Sequence, residues 1–402
     1  MQEVKRLDNG STLLYSKKEG YFTYLKFHFN VGSNDEPENL RGGAHLLEHM
    51  TFNGTQKYPR GRVEEIIEGC GGDINACTSE YYTRYYGNVI VNDTKKLVDV
   101  LSDMCFAPTL KEEDFATEKN IVIQELHDRE DDVWNYLFDK YFYRCFGSFP
   151  TIGSEDSINQ MAYNDFVDFH KKYYNFNNLI ISIVTPLEID EVTEMIQSSL
   201  SEYKFDNMFK NENRYEITNT QHDIKDVMEN LDQTKLLSGF IIPRGYSDFA
   251  GLYTQILGGG MTSKLFKNLR EEKKLCYNVF SYTQNLGDVD YIGIGISFND
   301  IGKYDEILQN CADEINNMKN VSEAEFDGAK NTLFSNLCKV DENRPQFANA
   351  LITRHKNNMP LSTDERISQL KKITIDDFNS FVENHCINQQ MYTYLLYDDK
   401  TN

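Results

Sequence analysis

The pattern of apolar and polar residues along this chain runs through one order of elements and then repeats it about 200 residues later, a spacing far too long for a solenoid array. In the first half, a Gly10-Ser11 turn leads into a short strand at 12–15. Residues 21–31 alternate aromatic or apolar with polar side chains, as a half-buried strand does. Helical spacing follows at 42–52 and 62–69, strand patterning at 73–78 and 84–91, and helical spacing again at 95–106. One long helical pattern covers 111–143, then a strand at 178–184 and a helix at 188–202. The second half offers a strand at 235–242, helical stretches at 251–257 and 263–272, and strands at 279–283 and 291–297. Helices at 304–318, 322–340 and 374–384 and a last strand at 392–397 complete it. Between the halves, 206–218 is polar, charged and poor in aliphatic residues, which is linker composition. The expected domains are therefore 1–205 and 219–402, and 402 residues is ample for two cores.

The 25 Tyr and 25 Phe supply large core-filling side chains, so a disordered chain is excluded. No apolar run is long enough to span a membrane, and the first residues lack the apolar stretch of a signal peptide, so a cytoplasmic location is expected. The eight cysteines stand singly with no C-x-x-C pair, which reads as reduced thiols. A net charge of −22 repels nucleic acid and favours basic peptides or proteins at long range.

Chemistry concentrates in Gly43-Ala44-His45-Leu46-Leu47-Glu48-His49-Met50. His45 and His49 are one helical turn apart, so both imidazoles project from one face. Such a pair can hold a zinc ion, and Glu48 beside it can take a proton from a zinc-bound water. A catalytic zinc needs a third protein ligand. Glu118 and Glu125, seven residues apart on the long helical pattern, share a face two turns along and are the candidates. His127 does not share the face of Glu125, and Glu130, Asp131 and Asp132 read as a solvated acidic face. Gly258-Gly259-Gly260 is followed by no Gly-Lys-Ser/Thr, so it is a turn rather than a phosphate loop. The second half carries no H-x-x-E-H at the matching place, where Gly251-Leu252-Tyr253-Thr254-Gln255 stands.

Four stretches together resemble the inverted-zinc-motif peptidase family of pitrilysin and the insulin-degrading enzyme. They are VGSNDEPENLRGGAHLLEHMTFNGT at 31–55, GCGGDINACTSEYYTRYY at 69–86, EKNIVIQEL at 118–126 and ILGGGMTSKLFKNLREEKKLCYNVFSY at 256–282. In length the chain is similar to the two-domain branch with the mitochondrial processing peptidase's catalytic subunit. The resemblance implies an α+β fold: two homologous α/β-sandwich-like domains, each a mainly antiparallel sheet packed with helices, enclosing a cavity. It implies one Zn2+ per chain held by His45, His49 and Glu125, with Glu48 as general base and Glu118 orienting a histidine ligand. Arg270 and Tyr277 match the family's pair that holds the substrate backbone and the oxyanion. Asn75, Ala76 and Cys77 would form an edge strand that pairs with an extended peptide, with Phe52 also at the substrate. Cys77 stands where relatives often carry a larger apolar or aromatic residue.

The expected activity is zinc-dependent endopeptidase cleavage of peptide or unfolded protein, without nucleic acid or membrane. The metal motif and the Arg–Tyr pair in one chain point to a homodimer; a heterodimer with a degenerate homologous subunit is the alternative. A non-catalytic assembly scaffold is the competing class, and it has no need of His45, Glu48, His49 and Glu125 together.

Overall fold

The computed structural model describes residues 2–206, 208–212, 217 and 221–400. In chain order the elements are β1 (Gln2–Arg6), β2 (Thr12–Lys17), β3 (Phe22–Phe29), α1 (Gly43–Thr51), α2 (Arg62–Gly69), β4 (Asp73–Thr78), β5 (Thr83–Ile90) and α3 (Thr94–Phe106). Then come α4 (Glu112–Asp131), α5 (Val133–Phe146), α6 (Glu155–Gln160), α7 (Tyr163–Tyr173), β6 (Leu179–Thr185) and α8 (Ile189–Leu200). The second half holds β7 (Ile224–Val227), β8 (Thr234–Pro243), α9 (Ser247–Gly258), β9 (Asn278–Asn285), β10 (Val289–Phe298) and α10 (Tyr304–Asn317). It ends with α11 (Glu323–Glu342), α12 (Arg344–Lys356), α13 (Thr363–Lys372), α14 (Ile375–His385) and β11 (Tyr392–Tyr397). None of the described helices is long and apolar enough to cross a membrane.

The first sheet has the strand order β1-β2-β6-β3-β5-β4, with β2 and β6 parallel and the other pairs antiparallel. The second runs β7-β11-β8-β10-β9, with β7 and β11 parallel. Apart from the extra β1, the two orders are the same: first strand beside last, then second, fourth and third. The repeat expected from the sequence is thus a repeat of topology. β1 escapes the sequence pattern because it is a charged edge strand with little apolar alternation.

Two compact units result, and neither is contiguous in sequence. The first contains Met1–Asp131, Phe149–Asn213 and Val340–Thr363; the second contains Asp132–Ser148, Arg214–Lys339 and Asp364–Asn402. The change of unit after 213 falls within the expected linker, part of which lies outside the described residues. The segments 132–148 and 340–363 depart from a division at 205 and 219, because each packs on the sheet of the other half.

In the first unit, Leu25, Phe27, Phe29, Ile181 and Ile183 face a large apolar core shared with α1 and α3. On the opposite face, Phe347, Ala348, Leu351 and Ile352 of α12 cover Leu14, Tyr24, Ile180 and Val184. With both faces covered, β6 is buried along its whole length, which explains its mainly apolar sequence. In the second unit, Leu236, Phe240, Ile292, Ile294 and Ile296 form one core with α9, α10 and α14. Leu137, Tyr141, Cys145 and Phe146 of α5 cover Leu237, Tyr291, Tyr394 and Leu396 on the other face.

The exchange of α5 and α12 accounts for the main corrections. The pattern at 111–143 is not one helix: it breaks at Asp132, whose extended backbone (φ −81°, ψ 109°) ends α4 and whose carboxylate accepts from Asn135 N at 2.9 Å. An acid expected on a solvated face is therefore an N-cap. Asn343 does the same for α12, accepting from Gln346 N at 3.0 Å. Residues 344–372 carry two helices that the sequence reading leaves out; Pro345 sits in the first turn of α12, where a proline is tolerated. Helices α6 and α7 are likewise additions, and 266–272 within the expected helix 263–272 is wound as a wider π-helix.

If the two caps set these breaks, Asp132→Ala and Asn343→Ala each lower stability by about 1 kcal/mol in denaturant unfolding. Midpoints unchanged from wild type would show the caps to be idle.

Candidate metal centre

Helix α1 begins where Gly42 turns the chain at φ +90°, with no room for a side chain: a Cβ there would lie 2.6 Å from the Ile152 carbonyl oxygen. The buried carboxylate of Glu36 accepts from Gly42 N at 2.8 Å and Ala44 N at 2.6 Å, which satisfies the open end of the helix. Leu46, Leu47 and Met50 then face the core, which leaves His45, Glu48 and His49 on the other side. Helix α4 packs against α1 through Phe115, Val122 and Leu126. This puts Glu118 and Glu125 opposite the histidines.

His49 Nε2 lies 3.3 Å from Glu125 Oε2, and His45 Nε2 lies 3.7 Å from Glu125 Oε1. One donor atom from each of the three residues falls within 4.8 Å of the others. Tetrahedral ligands about 2.1 Å from a shared zinc are about 3.4 Å apart, so the set fits a two-histidine, one-carboxylate zinc site with the remaining position open. Behind it, Glu118 Oε2 is 3.5 Å from His49 Nδ1. Glu118 is nearly buried, and its other oxygen accepts from Asn53 Nδ2 at 2.8 Å and Arg60 Nη2 at 3.3 Å. His45 Nδ1 is buried without a hydrogen-bond partner among the described residues, so only His49 is backed in this way.

The titration of these groups follows from their surroundings. Burial lowers His45 to about 4. The hydrogen bond with Glu125 raises His49 above the ordinary histidine range and, reciprocally, lowers Glu125. Burial pushes Glu48 up, opposed by a hydrogen bond that Thr78 Oγ1 donates to Glu48 Oε2. Thr78 ends β4, the outermost strand of its sheet. Asn75, Ala76 and Cys77 lie on that strand; Asn75 is exposed and Cys77 half-buried, with its thiol raised by burial. Phe52 follows α1 and packs against the core. His127 stands apart in an exposed pair with Glu155 at 3.3 Å. In the second unit, the Arg270 guanidinium lies over the Tyr277 ring at 5.4 Å and over Phe266 at 4.9 Å, with Tyr277 largely exposed.

Three participants went unnoticed in the sequence. Thr78, Asn53 and Arg60 reach the site through tertiary packing, and only Thr78, next to the expected edge strand, carried a local signal.

Zinc binding requires neutral imidazoles, so the metal competes with the proton on His49 but not with one on His45. Zinc affinity should fall as the pH drops through the titration of His49, which is raised from its ordinary value, approaching about tenfold per pH unit once that group is protonated. Competitive chelator titration measures this, and a flat profile would refute it. In the same assay, Glu118→Gln should cost about 10–100-fold in zinc affinity.

Known proteins resemble this chain over most of its length. The model for insulinase, peptidase family M16, matches residues 12–145, and the model for the M16 peptidase inactive domain matches 160–333. An uncharacterized zinc protease of Bacillus subtilis is 27% identical over 366 residues, covering 87% of each chain. One of Rickettsia felis is 29% identical over 353 residues, covering 84% of each. One of Streptomyces coelicolor is 26% identical over 302 residues, which spans 72% of this chain and 65% of the relative. Among solved structures, a protease from Helicobacter pylori superposes with a TM-score of 0.90 at 21% identity, covering 98% of this chain and 99% of that one. A putative M16-like peptidase from Alicyclobacillus acidocaldarius superposes at 0.81 with 18% identity, covering 98% of each. The two family models, which between them match most of its length, make this chain a member of the M16, or insulinase, family of peptidases.

Proposed function

We propose that the chain is a zinc-dependent endopeptidase acting on extended peptides or precursor segments, with one zinc per chain held by His45, His49 and Glu125. The observation that carries this reading is the place of Glu48. It stands on the same face as the two histidines, and its carboxylate is tied through Thr78 to the edge strand β4. Base and peptide-docking strand are thus one hydrogen bond apart.

A bound zinc polarises a peptide carbonyl and makes a water more acidic. Glu48 takes the proton from the attacking water and passes it to the leaving amine. Burial, which raises its carboxyl, suits a group that must hold a proton between two steps. The free edge of β4 offers backbone groups to an extended substrate, so Asn75, Ala76 and Cys77 lie alongside it. Arg270 and Tyr277 supply a cation and an exposed phenol, which suit the backbone and oxyanion contacts of such a reaction.

Eight unpaired cysteines support a reducing, cytoplasmic setting. Both functional halves in one chain support a homodimer over pairing with a degenerate homologous subunit.

Glu48→Gln should keep zinc binding and lose at least about 100-fold in kcat on a quenched peptide library, while a chelator abolishes wild-type cleavage. Turnover close to wild type in that variant would overturn the mechanism.

A further inference from the structure

The face of the first sheet that α12 covers holds an unusual set of charges. Strand alternation and register put Cys77, Arg84 and His28 in one row across β4, β5 and β3, with Tyr86 and Lys26 in the next. Lys26 is buried. Its ammonium donates to the Asn349 side-chain oxygen and lies 4.6 Å from the Tyr86 ring centroid and 5.6 Å from that of Tyr24. Arg84 Nε donates to His28 Nδ1 at 2.9 Å, and its Nη1 reaches the same Asn349 oxygen at 3.4 Å. The guanidinium stacks on Tyr82 at 3.6 Å. His28 is buried, and its other nitrogen is 3.2 Å from Asn30 Oδ1, which also accepts from Lys356 at 2.8 Å.

Among the described residues, no carboxylate stands within ion-pair distance of Lys26 or Arg84, in a chain with 63 acidic residues. A buried cation is normally paired with an anion. Here amide oxygens, an imidazole and aromatic faces take that place, and two cations converge on one neutral acceptor. The guanidinium is only half-buried, and its Nη2 donates to no described group. Cys77 of the edge strand β4 is the direct cross-strand neighbour of Arg84. Adjacent strands are about 4.8 Å apart, so a peptide on the free side of β4 would lie about 10 Å from β5. A glutamate of that peptide facing the same way as Cys77 would stand on the same sheet face and in the same row as Arg84.

We propose that Arg84, backed by Lys26, is a specificity site for a carboxylate of the substrate, carried by a peptide that runs along β4. This rests on the reading of β4 as the docking strand. The guanidinium offers the fork that a carboxylate accepts. Lys26 keeps the local potential positive although the chain as a whole is strongly acidic. The substrate class is therefore an extended peptide with an acid at one fixed position from the cleaved bond.

The test is binding of labelled peptides to zinc-loaded Glu48→Gln protein by fluorescence anisotropy, with Glu and Gln exchanged at each position in turn. At one position Glu should bind about tenfold more tightly than Gln, and the preference should shrink at high salt. Adding Arg84→Gln should erase it while leaving the Gln peptide within about twofold, and Arg84→Lys should restore part of it. Lys26→Met, which keeps the guanidinium, serves as the second variant should Arg84→Gln fold poorly, and it should weaken the same preference. Peptides with amidated and free C-termini separate an acidic side chain from a terminal carboxylate. No Glu preference at any position, or one that survives both Arg84→Gln and Lys26→Met, would overturn the proposal. Wild-type cleavage is scored apart: protein that binds acidic peptides but cuts none keeps this site and loses the peptidase reading.

Discussion

The metal cluster depends on the packing of α1 against α4. Leu46, Leu47 and Met50 on one helix and Phe115, Val122 and Leu126 on the other belong to one apolar core. Each such side chain contributes about 1.5–3 kcal/mol on burial, and the six act together across the helix interface. This packing, rather than attraction among the polar groups, holds two imidazoles and a carboxylate at the spacing of metal ligands. Glu118 shows the cost and its compensation. A buried carboxylate is unfavourable unless hydrogen-bonded, and Asn53, Arg60 and His49 all turn toward it.

What the sequence made legible follows helical geometry. His45, Glu48 and His49 share a face because they lie within one turn, and Glu118 and Glu125 because they lie two turns apart; both facts are local. The groups that steer them are not. Thr78 is 30 residues from Glu48, and Asn53 and Arg60 are 65 and 58 residues from Glu118. Nothing short of the assembled fold brings them together. The break at Asp132 was hidden for a related reason. An acid in an acidic run looks solvated until the helix after it is seen to belong to a different core. Pro345 does not interrupt α12, since proline in a first turn gives up a hydrogen bond that no helix makes there.

The duplicated topology also shows how little the fold demands of the site. Helix α9 follows β8 as α1 follows β3, yet α9 buries Ala250, Leu252, Tyr253, Ile256 and Leu257 and carries no metal-ligating row. Among the described residues, the one cluster of donors suited to a metal ion lies in the first unit. The same strand order supports both halves, so the chemistry belongs to a few side chains set on the scaffold and not to the scaffold itself.

Charge acts at two ranges in this chain, with opposite preferences. The net charge of −22 sets a long-range field that draws in basic segments. That field is screened within about 8–10 Å at physiological salt, so it guides approach but does not decide register. Register is decided by contact, and on the sheet face reached past Cys77 the contacts offered are those of Lys26 and Arg84. Had one of the chain's own 63 acids been placed there, it would offset one of the two charges and compete with an outside carboxylate. Their pairing with Asn349, His28 and tyrosine rings stabilises them without satisfying their charge. On the proposed docking of a peptide along β4, a substrate matched to both ranges would be basic overall and acidic at one position, a pattern narrower than either preference alone.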